Sequence, residues 1–283
     1  MFVCIGIAVV LGATLTGFSM AGGHVHSLIH PSEIVTIGGA ALGALIASSP
    51  TKVLKDIMHG LIALLKGGNS DKKTYTEVFQ VLYHFFRIGR RDGLLAWESL
   101  LSESSDTVFG KYPRVAKDHH LVEFISGALT AASEGIEANQ LQEMLETEIR
   151  VMDEEHHAVT GALSRTADAL PGFGIVAAVL GIVITMQAID GPVEEIGHKV
   201  GAALVGTFLG ILMSYGVLGP VVGRMESMGA EETTLRQTIA ASIVGFVDGG
   251  TPKVVLDKAR RGIPTGARPT VHEMEELYKE VEK

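Results

Sequence analysis

Cysteine is nearly absent. The one in the chain, Cys4, sits inside an apolar run, so no internal disulfide and no thiolate zinc site can be built. Several other signatures are missing. There is no Walker A sequence, no GxGxxG and no HExxH. Of the eleven histidines, His24, His26 and His30 lie without ligand spacing. His119-His120 and His156-His157 are adjacent pairs that point to different helix faces. These absences leave no motif for an enzyme, a metal centre or a cofactor. The formal net charge of -9 argues against nucleic acid as the main partner.

The most informative absence is charge. The stretches Phe2–Ser19, Ile34–Pro50, Leu170–Ile189 and Val200–Gly223 contain no Asp, Glu, Lys or Arg. A helix needs ~20 mostly apolar residues to cross a membrane, and each stretch meets that length. No Lys or Arg precedes Lys52, so the first stretch lacks the basic flank of a cleaved signal peptide and reads as a retained span. Lys199 is the one basic residue in either short connection, Met20–Glu33 or Asp190–Lys199. The rule that basic loops stay inside therefore places both short connections outside. The middle segment, the tail and both termini are then cytoplasmic.

The expected fold is an all-α integral membrane protein. Four transmembrane helices bracket a large helical cytoplasmic domain between spans two and three. The segments are 1–50 (first hairpin, turning through Gly22-Gly23-His24-Val25-His26), 51–169 (inner domain), 170–223 (second hairpin) and 224–283 (tail). Inside the middle segment Val78, Val81, Leu82, Phe85 and Phe86 recur at helical spacing, as do Leu141, Met144, Leu145, Ile149 and Met152. Gly67–Ser70 and Ser102–Ser105 read as turns. A helix from about Asn139 is expected to run on towards span three. Its run Asp153-Glu154-Glu155-His156-His157 reads as a solvated face. The tail carries one amphipathic helix, Val271–Val281, and no motif.

No span carries an ionisable carboxylate or base, although proton paths need one inside the membrane. A titrating acid would have to come from another chain. What the spans offer is hydroxyls, at Thr14, Thr185, Thr207, Ser214 and Tyr215. Each of these is more often a back-bonding helix residue than a channel residue. Gly39 and Gly43, Gly206 and Gly210, and Ala177 and Gly181 are spaced for close helix approach, either within one chain or between copies. Pro171 stands where span three starts and its missing N–H costs little. Pro220, near the inner end of span four, should kink that helix.

Leu170-Pro171-Gly172-Phe173-Gly174-Ile175-Val176-Ala177-Ala178-Val179-Leu180-Gly181 resembles the flagellar stator subunits of the MotA family. So do Val205–Leu212 with Tyr215-Gly216 and Pro220, Arg90-Arg91-Asp92-Gly93 with Glu98, Lys111-Tyr112-Pro113, and Pro31-Ser32-Glu33. The resemblance covers nearly the whole chain. It implies five copies of the chain around two copies of MotB, whose span supplies the missing aspartate. Protons pass to that acid, and the ring turns the rotor protein FliG. Pro171 and Pro220 match the prolines that couple channel to inner domain. Arg90 and Glu98 match the charged pair that meets the rotor; as residues alone they are an ordinary surface pair. Sodium-driven relatives such as PomA have threonine where this chain has Ala178. Ala178 therefore favours protons, while Thr207 matches a threonine of both branches. Arg87, Arg91 and Lys117 have no assigned role. TolQ and ExbB, which energise envelope transport, share a looser version of these motifs but usually have three spans and a short inner loop. A scaffold without ion flow is the remaining class.

Overall fold

The computed structural model describes residues 2–67, 70–102, 108–187 and 189–282. The expected turns at Gly67–Ser70 and Ser102–Ser105 lie partly outside the described residues. In chain order the helices are α1 (Phe2–Met20), α2 (Pro31–Ser48), α3 (Thr51–Lys66), α4 (Lys72–Asp92), α5 (Ala96–Ser102) and α6 (Pro113–Ala116). They continue as α7 (His119–Ser133), α8 (Ala138–Gln187), α9 (Val193–Ile211), α10 (Gly219–Val247), α11 (Pro252–Arg260) and α12 (Val271–Glu282). A 3-10 turn, Val25–Leu28, links α1 to α2, and a π-helical segment, Leu212–Leu218, links α9 to α10. No strand occurs among the described residues. Among the described residues, four helical stretches are long and apolar enough to cross a membrane. They are Phe2–Met20, Val25–Ser48, and windows within Ala138–Gln187 and Val193–Val247.

The chain forms two compact units. The first joins Met1–Gly67 to Glu155–Ser227, so α3 belongs with the spans. No residue of α1 is buried. A helix that is apolar all round and uncovered suits lipid. Helix α2 turns one stripe inward, Glu33, Ile37 and Ala41, at the spacing of one face per turn. Ile37 and Ala41 pack with Leu170 and Ala177, beside Phe173 and Leu209.

The second unit joins Gly68–Glu154 to Met228–Lys283, so the middle segment and the tail share one core. Asp71 caps α4 by accepting from the Thr74 N–H at 3.0 Å. Gly93, with φ 86°, ends it in a conformation that favours glycine. The buried face of α4 holds Val78, Val81, Leu82, Phe85 and Phe86, as the helical spacing predicts. Phe86 stacks on Phe246 of α10 with ring centres 4.4 Å apart.

Helix α8 is a single helix of 50 residues, the expected continuation from the inner segment into span three. Pro171 is consequently inside a helix and not at a helix start, because the turns before it are already helical. Its ring leaves the Ala167 carbonyl without the usual i+4 donor. Within the charged run on α8, Glu154, Glu155 and His157 are exposed as expected, whereas Asp153 and His156 are half-buried. Asp153 accepts from the Thr233 hydroxyl at 3.1 Å, Glu155 pairs with Lys52, and a His156 ring nitrogen meets the Met225 carbonyl at 2.9 Å. The tail holds more than the one expected helix. Helix α10 runs on to Val247, and α11 starts at Thr251-Pro252.

Candidate functional site

Spans three and four cross where side chains are smallest. A β-carbon at Gly174 would lie 2.8 Å from the Gly206 carbonyl oxygen and 3.3 Å from the Thr207 α-carbon. One at Gly210 would lie 2.6 Å from the Leu170 carbonyl oxygen, and one at Gly181 would lie 2.8 Å from the Ala203 β-carbon. Gly174, Gly181, Gly206 and Gly210 therefore serve packing within this chain, where small residues let backbones meet. Gly39 and Gly43 face open space, so the chain's own helices do not use them.

The crossing sets the backbone of one sequence-predicted residue, Ala178, against the glycine that precedes another, Thr207. A β-carbon at Gly206 would sit 3.1 Å from the Ala177 β-carbon and 3.3 Å from the Ala178 nitrogen, and Thr207 is the next residue. Ala178 also lines a shallow apolar groove with Ile175, Val179 and Ile182. Pro171 adjoins the Leu170 carbonyl that Gly210 meets. Pro220 follows the π-helical segment, where the Gly219 N–H donates to Ser214 five residues back. The wider turn absorbs the donor that proline lacks. Val10 of α1 packs on that segment, 2.9 Å from where a Gly216 β-carbon would be. Of the span hydroxyls, Thr14 donates to the Val10 carbonyl and Thr185 to the Gly181 carbonyl, each at 2.8 Å. Both are back-bonded helix residues.

One expectation fails. The spans do contain a carboxylate. Helix α2 begins at Pro31, earlier than the apolar stretch, so Glu33 falls in its first turn. It is only 7% exposed. Its Oε2 lies 2.7 Å from the position of a Gly206 β-carbon and has no hydrogen-bond partner among the described residues. Charge-free windows missed it because it stands just outside the apolar run. The i, i+4, i+8 relation to Ile37 and Ala41 is the signal that places it inside.

In the second unit Arg90 and Glu98 are both exposed, Arg90 in the last turn of α4 and Glu98 in the first turn of α5. Neither has an ion pair among the described residues, whereas Arg91 pairs with Asp92 at 2.7 Å. Their setting is fixed by their neighbours in sequence. Trp97 is fully buried and its indole N–H donates to the Phe85 carbonyl at 2.7 Å. A β-carbon at Gly89 would lie 2.9 Å from the Trp97 ring. Gly89 and Trp97 thus lock the α4–α5 corner that carries the two charges. Sequence reading missed both, although each directly precedes a charged residue it singled out.

The tail braces the same helix. Arg87 donates to the Val281 carbonyl at 2.7 Å and Tyr83 to Glu282 at 2.6 Å. Tyr83 and Tyr278 rings lie 4.5 Å apart. Arg87 is therefore a bracing residue, which settles one of the basic residues without a role. Burial pushes the Tyr278 hydroxyl up to about 12. Thr270 and Glu273 form a capping box on α12, with bonds of 2.6 and 3.2 Å. Lys72, 2.8 Å away, and the Thr270 amide hold the Glu273 carboxyl down at about 2. No group of three metal-ligating side chains occurs among the described residues.

Comparison with known proteins gives this geometry a lineage. Residues 4–93 match the model of the motility protein A N-terminal region, and residues 116–238 match that of the MotA/TolQ/ExbB proton channel family. Chemotaxis protein LafT of Vibrio parahaemolyticus is 35% identical over 98% of this chain and 98% of its own. Motility protein A of Salmonella typhimurium is 30% identical over 99% and 96%. Among solved structures, C. jejuni MotAB matches with a TM-score of 0.80 at 22% identity, covering 95% of this chain and 98% of that one. The flagellar MotAB stator complex of Bacillus subtilis matches at 0.76 and 24%, covering 92% and 95%; both show the same fold. Near-complete coverage by relatives of this identity, with both family regions in order, means that the chain belongs to the motility protein A family, within the MotA/TolQ/ExbB proton channel family.

Proposed function

We infer that this chain is a proton-conducting stator subunit of the bacterial flagellar motor, acting in the membrane with MotB and not as an enzyme. The observation that carries the reading is the crossing of spans three and four. The family's small residues set the backbone of Ala178 against Gly206, the neighbour of Thr207, in the membrane unit, while a separate corner displays Arg90 and Glu98 to solvent.

The finer picture is the one that the family resemblance implies. Five copies surround a MotB pair in the inner membrane, with residues 51–169 and 224–283 in the cytoplasm. MotB brings an intramembrane acid to the face bearing Ala178 and Thr207. Each charge that crosses the field gains ~2.3 kcal/mol per 100 mV. Binding a proton there removes the desolvation penalty of a buried charge and so changes which ring position is favoured. Ala178 supplies a methyl group where sodium would need an oxygen, and the ion is the proton. Pro171 interrupts the hydrogen-bond ladder of α8 and Pro220 that of span four, so bending can concentrate at these points. Arg90 and Glu98 meet FliG. Exposed charges steer and register such a contact better than they hold it, which suits a surface that must engage and release.

The test is complementation in a strain deleted for both stator genes. The chain and its MotB partner, restored together, should return swimming and co-purify from the membrane. Restored swimming without MotB would overturn the reading.

A further inference from the structure

Glu33 has no place in the mechanism above, and its surroundings call for one. It shares the buried stripe of α2 with Ile37 and Ala41. The cluster it borders is apolar: Ile37, Ala41, Leu170 and Ala177. Its Oε2 is buried and unpartnered among the described residues, beside the glycine that precedes Thr207 and around the same point as the Ala178 nitrogen. An isolated carboxylate in such a place is costly unless something positive sits on it. The basic side chains Lys199 and His30 of the flanking outer elements make bonds of their own, and His30 also acts electrostatically on Glu33. Lys199 of α9 is 2.8 Å from Glu195, and a His30 ring nitrogen meets the Ser27 carbonyl at 3.0 Å. The other titratable groups of the outer elements are His24 and His26 before α2, Asp190 in the connection before α9, and Glu194 and His198 at the start of α9. The span-three part of α8 from Leu170 to Gln187 contributes none.

We propose that Glu33 is a proton-binding site belonging to this subunit itself, set behind the crossing that carries Ala178 and Thr207. The step is proton transfer alone. A hydronium at the outer connection gives up its proton and leaves as water, an O–H bond forms at Oε2, and that bond breaks when a water molecule takes the proton on towards the intramembrane acid of MotB. Gly206 makes the site possible, since any side chain there would fill the space of Oε2. This inference rests on the stator reading.

The test uses the same complementation strain. Glu33→Gln keeps size and removes the titration, and Glu33→Asp keeps the carboxyl. Expected for Glu33→Gln is normal membrane level and co-purification with MotB, with swimming speed lowered about threefold or more and a flattened dependence on external pH. Glu33→Asp should recover most of both. Infrared spectra of the purified complex should lose one protonated-carboxyl band in Glu33→Gln. Wild-type speed and an unchanged carboxyl spectrum in Glu33→Gln would overturn the proposal while leaving the stator reading intact. Failure of the wild-type pair to restore swimming would instead sink the stator reading.

Discussion

Single residues set the tightest contacts, and glycine positions separate into two kinds. At Gly210 a β-carbon would overlap the Leu170 carbonyl, whereas at Gly39 it meets nothing within 4 Å. Gly210→Ala should therefore destabilise the span unit by about 1–3 kcal/mol and reduce the amount of complex recovered from membranes. Gly39→Ala should leave a monomer's stability unchanged. Thermal unfolding of the two variants in detergent checks the contrast. In the second unit Gly89→Ala, pressed on the Trp97 ring, should displace Glu98 relative to Arg90. It should lower swimming speed even though it alters neither charge. Restoration of full speed in Gly89→Ala would show that the corner's geometry is not what matters. The sequence motif held Arg90 and Glu98 in view because charge stands out against family pattern. Gly89 and Trp97 were invisible there because their role is a contact between two helices.

Elements show why some features were legible and others were not. Apolar runs and helical periodicity found all four spans, the buried face of α4 and the long α8. The start of α2 was placed too late, because composition marks where charge ends and not where Pro31 lets a helix begin. That error hid Glu33. Pro171 looked like a helix start because a missing N–H costs little there, although the expected run of the helix from Asn139 already put helical turns before it. Helix α11 was missed because it is short and its partner, α4, is distant in sequence. The docking of α12 has a pH signature. Glu273 is held at about 2 against 4.5 when unperturbed, so its stabilising contribution is fully present above 4.5 and is lost as pH falls towards 2. The difference in unfolding midpoint between wild type and Glu273→Gln should shrink across that window. A constant difference would contradict the assignment. Arg87→Ala should also loosen α12, read as faster amide exchange across Val271–Glu282.

For the whole molecule we propose that proton flow through the membrane unit is converted to torque by the charged corner on the second unit. The most direct measurement is swimming speed of the stator-deleted strain carrying this chain with MotB, recorded with and without sodium and then with a protonophore. The account predicts speed that survives sodium removal and collapses with the protonophore. Speed that requires sodium and withstands the protonophore would contradict it.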